Sequence, residues 1–170
     1  MMFEYREDLI KDVALLKVWE ELENIYSKLN EPQNSGGSIK DGQFLKKGKG
    51  YLTTDIQARE FAPTCVLVGE AVGKSFKYTE MDVLINYYGD GDYYKPHKDN
   101  AVKTVSVPLC KKDSDFTGGD FKFTDLNIII PFKNNSCIIF NSRLSHEVKP
   151  INMNKIGDML GRFSLTFFYV

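Results

Sequence analysis

The sequence predicts a single domain that is mainly β with N-terminal helices, an α+β chain whose core is a double-sheet jelly roll. Residues 81–170 show short apolar runs separated by Gly, Asn and Asp without a helical period, which is typical of antiparallel strands. Residues 1–80 instead carry helical periodicity. The 170 residues, 42% of them hydrophobic, suit one domain that buries about two-thirds of its unfolded surface. We therefore predict helical support from residues 1–80 and a jelly-roll core over 81–170.

The first predicted element is an amphipathic helix over residues 7–29. Apolar side chains recur there at steps of three and four, and we expect them to pack against a sheet. These side chains are Leu9, Val13, Leu16, Trp19, Leu22, Tyr26 and Leu29. A shorter helix is predicted to begin after Thr54, because Gln57 completes a capping box, and to end by Pro63. Residues 64–73 fit either a helix or a strand.

The β segments of the C-terminal part are short, and turn residues separate them. Eight are predicted, over residues 82–88, 95–100, 104–109, 120–124, 126–132, 136–141, 146–151 and 162–169. Several short strands without an intervening helix indicate antiparallel sheets, and eight of them suit a jelly roll. Residues 152–160 show neither the alternation of a strand nor the periodicity of a helix, so a connecting loop is predicted between the last two strands.

Charge and cysteine content disfavour several classes of protein. The net charge is −1 with a pI near 6.1, and the lysines and arginines are scattered, which disfavours a nucleic-acid partner. Cys65, Cys110 and Cys137 are irregularly spaced, so neither a disulfide framework nor a zinc knuckle is indicated, and a reducing compartment fits. No stretch resembles a signal peptide or a membrane span, so we expect a soluble, cytoplasmic protein with no membrane partner.

The chain has only two histidines, and both lie in candidate metal-binding contexts. His97 is followed two residues later by Asp99, so in a strand their side chains would share one face roughly 6 to 7 Å apart. His146 comes after a predicted strand and supplies a second imidazole. Two His and one Asp form a facial triad, which leaves three positions of an octahedral Fe(II) open, whereas zinc favours four-coordinate closure. These three residues therefore predict a metal site.

Four segments carry a resemblance to a known family. They are Tyr88-Gly89-Asp90-Gly91-Asp92-Tyr93-Tyr94-Lys95-Pro96-His97-Lys98-Asp99, Gly118-Gly119-Asp120-Phe121, His146-Glu147-Val148-Lys149-Pro150 and Gly161-Arg162-Phe163-Ser164-Leu165-Thr166. In order and spacing they resemble the prolyl 4-hydroxylase branch of the Fe(II)/2-oxoglutarate dioxygenases, from about residue 81 onward. The resemblance implies one dioxygenase domain over residues 1–170, with a cupin-like double-stranded β-helix as its catalytic core. It also implies the cofactors Fe(II) and 2-oxoglutarate, O2 as a reactant, and ascorbate as a candidate reductant.

The resemblance also assigns residues to the cosubstrate. Arg162 would pair with the far carboxylate of 2-oxoglutarate, with Ser164 on the same strand face and Tyr88 donating its hydroxyl. Lys155 stays open as an alternative anchor, because in many prolyl hydroxylases the basic residue follows the second histidine more closely. Arg162 is preferred, since it opens an apolar strand while Lys155 lies in a polar loop. Pro108 is a departure, because relatives often carry a tyrosine there.

The substrate implied by the resemblance is a residue, in the first place proline, in a peptide or protein. Residues 90–94 and 113–117 are polar or acidic loops predicted at strand ends, where a lid could order over an extended chain. Tyr93 and Tyr94 are candidate walls for the proline ring, and Arg143 is a candidate donor to a peptide carbonyl. Packing of both tyrosines within the sheet is the competing interpretation.

Other functions stay open. Asn86-Tyr87-Tyr88 and residues 162–167 also resemble the AlkB-like nucleic-acid demethylases, although Phe168 stands where that branch has a second Arg. A small-molecule or free amino acid hydroxylase fits the same triad. From another class, the jelly roll could be a non-catalytic cupin-like metal- or ligand-binding module, or a zinc hydrolase. Iron with oxoglutarate-dependent O2 uptake would indicate the oxygenase, whereas tight zinc without oxoglutarate turnover would indicate the others.

Overall fold

The computed structural model describes residues 2–29, 39–40 and 43–170. The helices are α1 Asp12–Ile25, α2 Asp55–Phe61 and α3 Pro63–Gly73. The strands are β1 Phe3–Arg6, β2 Ile39–Lys40, β3 Gln43–Phe44, β4 Lys46–Lys47, β5 Lys49–Thr54, β6 Met81–Tyr88, β7 Tyr93–His97, β8 Lys103–Leu109, β9 Phe116–Gly118, β10 Phe121–Phe123, β11 Ile128–Ile130, β12 Cys137–Asn141, β13 His146–Val148, β14 Ile151–Met153 and β15 Arg162–Tyr169. Within these ranges, no helix is long and apolar enough to cross a membrane.

Two antiparallel sheets form the core. The larger sheet has the strand order β1-β12-β8-β15-β6-β5, and the smaller has the order β11-β10-β13-β7-β4. Each predicted strand has a counterpart, although the strand predicted over residues 146–151 ends at Val148, before Pro150, which has no amide hydrogen for a ladder. A separate strand, β14, follows Pro150 and runs to Met153, into the segment that was predicted to be a loop. The predicted mainly β, double-sheet architecture is confirmed.

The N-terminal part supplies strands as well as helices, which corrects the expectation that residues 1–80 give helical support alone. β1 pairs with β12 and β5 pairs with β6, so these two strands form both edges of the larger sheet. Edge strands are often short and charged, and lysine and glycine in β5 hide its apolar alternation from sequence analysis. The first helix also begins at Asp12 rather than at residue 7.

The two helices after β5 follow local sequence signals. α2 begins after Thr54 as predicted, and the Thr54 hydroxyl accepts a hydrogen bond from the Gln57 amide at 3.4 Å. Residues 64–73, which the sequence left open, belong to α3. This helix lies close against the larger sheet, since the Tyr169 hydroxyl donates to the Gly69 carbonyl at 2.6 Å. The helices therefore cover the outer face of the larger sheet, and its inner face turns towards the smaller sheet.

The helix α1 buries a narrower apolar face than its sequence indicates. Val18, Leu22 and Ile25 are at most 1% exposed and belong to the core. Val13 and Leu16, which were predicted to share the buried stripe, are 72% and 67% exposed. The predicted stripe is therefore wrong at these two positions, because they lie on the solvent side of the helix.

Truncation of Leu22 to Ala is expected to lower the free energy of unfolding by about 2 to 5 kcal/mol, because it leaves a cavity in the core. Leu16→Ala on the same helix is the matched control, and it should change that free energy by less than about 0.5 kcal/mol, since this side chain is exposed. Urea denaturation followed by the fluorescence of Trp19 measures both variants. Equal losses of stability would contradict this packing of α1.

Candidate metal centre

The two histidines and Asp99 come together at one end of the smaller sheet. β13 pairs with β7 so that His146 lies directly opposite His97. The Asp99 carboxylate lies between them, with Oδ1 3.6 Å from His97 Nε2 and Oδ2 3.4 Å from His146 Nε2. One possible ligand atom of each residue lies within 4.8 Å of the other two. His97 and His146, which are 49 positions apart in the sequence, thus meet in one cluster because of strand pairing.

Hydrogen bonds to the backbone orient both imidazoles. His97 Nδ1 lies 2.8 Å from the Lys95 carbonyl oxygen, and His146 Nδ1 lies 2.9 Å from the Leu144 carbonyl oxygen. A carbonyl oxygen can only accept, so each Nδ1 carries the proton. Each Nε2 therefore directs a lone pair at the centre of the cluster, as metal-binding histidines do.

Asp99 is held just beyond the end of β7. The strand ends at His97, so the prediction that both side chains share one strand face is wrong. Instead, the Asp99 amide donates to the Ser142 carbonyl at 3.0 Å, and the Thr104 hydroxyl donates to Asp99 Oδ2 at 2.7 Å. Burial raises the pKa of the Asp99 carboxyl, while His97 and the Thr104 hydrogen bond oppose that rise.

Aromatic rings enclose the two imidazoles. Tyr94 stacks on His97 with 3.6 Å between ring centroids, and Phe121 stacks on His146 at 5.3 Å. Phe140 contacts His146 edge-on at 4.7 Å. Burial lowers the pKa of His146 to about 4, and burial together with the neighbouring His146 lowers the pKa of His97. Both imidazoles are therefore neutral at neutral pH, which is the form that binds a metal.

The donor set fits a metal that keeps open coordination positions. Two imidazole nitrogens and one carboxylate oxygen converge, and this cluster of three is the one found in the part of the chain that the structure describes. A three-residue set of this composition suits Fe(II) with three open octahedral positions. A structural zinc site would call for a fourth protein ligand. The ligand role of His97, Asp99 and His146 stays a prediction, and the geometry is compatible with it.

Arg162 is a buried cation that forms no ion pair within the part of the chain that the structure describes. It is 1% exposed, and its Nε and Nη1 have no hydrogen-bond acceptor among the described residues. Its Cζ lies 5.5 Å from the Tyr88 ring centroid and 5.9 Å from the Phe132 ring centroid. Burial lowers the pKa of this guanidinium, yet arginine stays charged in proteins. Because an unpaired buried charge is unfavourable, these N–H groups fit the far carboxylate of a dicarboxylic cosubstrate.

The other residues predicted for the cosubstrate lie beside Arg162. Tyr88 is directly opposite Arg162 in the β6–β15 pair, and Ser164 follows two residues later on the same face. Lys155, the alternative anchor, has a side chain that is 63% exposed and that pairs with Asp115 at 3.5 Å. The structure thus brings Arg162, Tyr88 and Ser164 together and leaves Lys155 at the surface.

A pocket of about 390 Å³ opens onto the triad. The smaller sheet lines it with Tyr94 and Phe121, and the larger sheet lines it with Ser106, Ser164 and Phe168. Pockets of this size hold small ligands and are mostly apolar with a few polar groups. The pocket therefore has room for a small cosubstrate and for one side chain of a substrate.

Lys46 and Asn86 are among the polar pocket residues that were not predicted from the sequence as site residues. Lys46 begins the run Lys46-Lys47-Gly48-Lys49-Gly50, whose lysine and glycine composition is typical of a solvated turn. In the structure it is 1% exposed, because β4 pairs with β7 and places it opposite Tyr94. Because that pairing joins distant segments, no local sequence pattern predicts the burial of Lys46. Asn86 could have been found, since it alternates with Tyr88 on one face of a predicted strand.

The residues predicted to contact the substrate separate in the structure. Tyr94 lines the pocket, whereas its neighbour Tyr93 does not. Arg143 is exposed and lines a different, shallow surface pocket together with Met2 and Lys103. The structure thus leaves Tyr93 and Arg143 outside the metal pocket, and only Tyr94 is carried further as a substrate contact.

Similarity to known proteins covers the strands that carry the site. Residues 83–170 match the family model of the 2OG-Fe(II) oxygenase superfamily. An uncharacterized PKHD-type hydroxylase of Synechocystis sp. is 29% identical over 105 residues, which cover 50% of this chain and 34% of that protein. The chain therefore spans 34% of the length of that relative.

Solved structures with the same fold include three prolyl hydroxylases. A Pseudomonas putida prolyl-4-hydroxylase has a TM-score of 0.65 at 14% identity, covering 98% of this chain and 91% of that chain. A Trichoplax adhaerens prolyl hydroxylase, in complex with a hypoxia inducible factor peptide fragment, has a TM-score of 0.67 at 17% identity, covering 98% and 82%. The viral collagen prolyl hydroxylase of Paramecium Bursaria Chlorella virus-1 has a TM-score of 0.62 at 16% identity, covering 99% and 95%. These likenesses show the fold.

The family match includes both histidines, Asp99, Tyr88 and Arg162. It confirms the resemblance seen in the sequence at the level of the family, and with it the dependence on Fe(II) and 2-oxoglutarate. The double-stranded β-helix of the solved relatives agrees with the two sheets described above. This chain belongs to the 2OG-Fe(II) oxygenase superfamily.

Proposed function

We propose that this oxygenase hydroxylates a proline residue in a peptide or protein. The observation that carries the proposal is an aromatic wall on each side of the candidate metal ligands. Tyr94 stacks on His97, and Phe168 lies opposite Thr104, whose hydroxyl bonds Asp99. Aromatic faces suit the flat, apolar proline ring. The likeness in fold to prolyl hydroxylases, one of them solved with a peptide, supports the same substrate class.

In this proposal His97, Asp99 and His146 hold the Fe(II). When bound, the iron supplies the oxidation chemistry, in which 2-oxoglutarate and O2 give succinate, CO2 and one oxygen atom for the substrate C–H bond. The chain's own part is to keep both imidazoles neutral by burial and to fix the carboxylate through Thr104. The aromatic residues around His146 keep water away from the reacting side of the site.

Arg162, Ser164 and Tyr88 would hold the far end of the cosubstrate. A guanidinium can bind a carboxylate through two parallel N–H bonds, and two N–H groups of Arg162 have no acceptor among the described residues. Burial raises the pKa of the Tyr88 phenol, so the hydroxyl keeps its proton and can donate. Residues of β6 and β15 would thus orient the cosubstrate. The metal ligands come from β7 and β13 of the smaller sheet and from the turn after β7.

The loop over residues 90–94, expected from the sequence to act as a lid, is fastened to β14 in this structure. The Gly91 amide donates to the Ile151 carbonyl at 2.7 Å, and the Ile151 amide donates to the Asp92 carbonyl at 3.1 Å. A lid motion would have to break these bonds. On this side of the pocket, the substrate would therefore enter past a loop that is already held in place by β14.

A library of proline-containing peptides tests the proposed substrate. Incubated with the Fe(II)-loaded protein, 2-oxoglutarate and O2, at least one peptide is expected to gain the mass of one oxygen atom on proline, as seen by tandem mass spectrometry. Omission of 2-oxoglutarate is the control and should remove the product. Lack of any oxidised peptide, together with efficient oxidation of methylated oligonucleotides or of a free amino acid, would replace the proposal by that alternative.

A further inference from the structure

Lys46 is a buried lysine whose side chain enters the pocket above the triad. Its residue is 1% exposed and lines the pocket. Gly50 leaves the room for this side chain, because a Cβ at that position would lie 2.6 Å from Lys46 Nζ. The Lys46 ammonium therefore lies in the protein interior, in space that Gly50 leaves open.

The ammonium of Lys46 contacts neutral groups and forms no ion pair with the described residues, although the Asp92 carboxylate lies near enough to oppose the fall in its pKa that burial causes. It donates a hydrogen bond to Asn86 Oδ1 and lies 5.8 Å from the ring centroids of Tyr88 and Tyr94. In the described part of the chain its neighbour Lys47 pairs with a carboxylate at 3.6 Å, and Lys46 forms no ion pair. An amide oxygen does not neutralise a buried charge, so the site is prepared for an anionic ligand.

Lys46 and Arg162 both lie near Tyr88, a residue that lines the pocket. Asn86, which accepts the hydrogen bond from Lys46, lies directly opposite Ser164 in the β6–β15 pair. Ser164 shares a strand face with Arg162, two residues earlier. Both cations also lie over the ring of Tyr88, with Lys46 Nζ 5.8 Å and Arg162 Cζ 5.5 Å from its centroid. Two buried cations thus border one ring, and the described protein gives neither of them an ion-pair partner.

We propose that Lys46 binds the far carboxylate of 2-oxoglutarate together with Arg162. This inference rests on the proposed function, in which the opposite end of 2-oxoglutarate chelates the metal. An ammonium has three N–H donors, so Lys46 can keep its bond to Asn86 and donate another to the carboxylate. The carboxylate supplies the negative charge that both cations lack. Lys46 is then a binding residue for the cosubstrate that the sequence motifs of the C-terminal part do not include.

Binding of two ligands to the full chain, loaded with Mn(II) and without O2, tests this inference. 2-Oxoglutarate carries the far carboxylate, whereas 2-oxopentanoate has the same chelating end and lacks it. Lys46→Met is expected to weaken 2-oxoglutarate by about 10- to 100-fold, the loss of one charge-assisted hydrogen bond, and to leave 2-oxopentanoate unchanged. Lys47→Met is the matched control, since its side chain is 58% exposed, and it should change neither affinity.

Isothermal titration gives the dissociation constants, and urea denaturation shows that each variant is folded. Lys46→Gln serves as a second variant that keeps a polar side chain, and it should show the same selective loss. Wild-type affinity for 2-oxoglutarate in both Lys46 variants would overturn the inference and leave a substrate carboxylate as the partner. Equal weakening of the two ligands would also overturn it, as general damage to the pocket. A wild-type protein that binds Mn(II) but no 2-oxoglutarate would instead reject the proposed function itself.

Discussion

Replacement of His146 by Ala, or of Asp99 by Ala, is expected to reduce 2-oxoglutarate decarboxylation to background. Each change leaves two of the three converging ligand atoms, and Asp99→Ala also removes the only negative charge of the cluster. Because the three side chains are nine-tenths buried, nearby water cannot restore the lost ligand without a rearrangement of the aromatic wall. Succinate formation measures turnover, and titration with Mn(II) followed by electron paramagnetic resonance measures metal binding.

Glu147→Gln is the matched control for His146→Ala. Glu147 is the next residue of β13, and its side chain pairs with Lys149 at 2.9 Å outside the cluster. This control should bind Mn(II) and turn over as the wild type does. Full metal affinity in both His146→Ala and Asp99→Ala would mean that the metal lies elsewhere and that the cluster is an ordinary buried polar group.

Replacement of Arg162 by Met is expected to weaken 2-oxoglutarate binding by about 2 to 5 kcal/mol, the effect of losing a charge-assisted bidentate contact. The ligand-free protein should be as stable as the wild type or more so, because the change removes a buried charge that has no ion-pair partner among the described residues. Binding to the Mn(II)-loaded protein and urea denaturation of the ligand-free protein measure the two effects.

Lys155→Met is the control for Arg162→Met, because Lys155 was the alternative anchor and its side chain is exposed. It should leave the affinity for 2-oxoglutarate unchanged. A large loss in Lys155→Met with none in Arg162→Met would move the anchor to the loop before β15. A strong loss of ligand-free stability in Arg162→Met would mean that the guanidinium already has a structural partner in the native state.

The candidate site could be predicted where its residues form local patterns. The spacing of His97 and Asp99 and the position of Arg162 at the start of an apolar strand are visible in the sequence alone. Their assembly also follows from strand pairing that an eight-stranded jelly roll imposes. Arg143 shows the limit of this reasoning, because nearness to His146 along the chain did not bring it into the pocket.

What could not be predicted depends on contacts between distant segments. Lys46 lies in a lysine- and glycine-rich run, and only the pairing of β4 with β7 buries it. The edge strand β1 was missed because its alternation lasts only four residues, and β5 was missed because lysine and glycine interrupt its apolar alternation. In α1, Val13 and Leu16 have the period of a buried stripe but lie on the exposed side of the helix. Burial of these residues is a property of the assembled fold.

O2 uptake by the iron-loaded wild-type protein, with and without 2-oxoglutarate, tests whether the chain is a working oxygenase, once its metal content has been determined. We expect one Fe(II) per chain, and uptake that requires 2-oxoglutarate and yields succinate. His146→Ala, measured in parallel, should show neither stoichiometric iron nor uptake. Tight binding of zinc, with no 2-oxoglutarate turnover after exchange for iron, would contradict the account and indicate a metal-binding module or a hydrolase on the same fold.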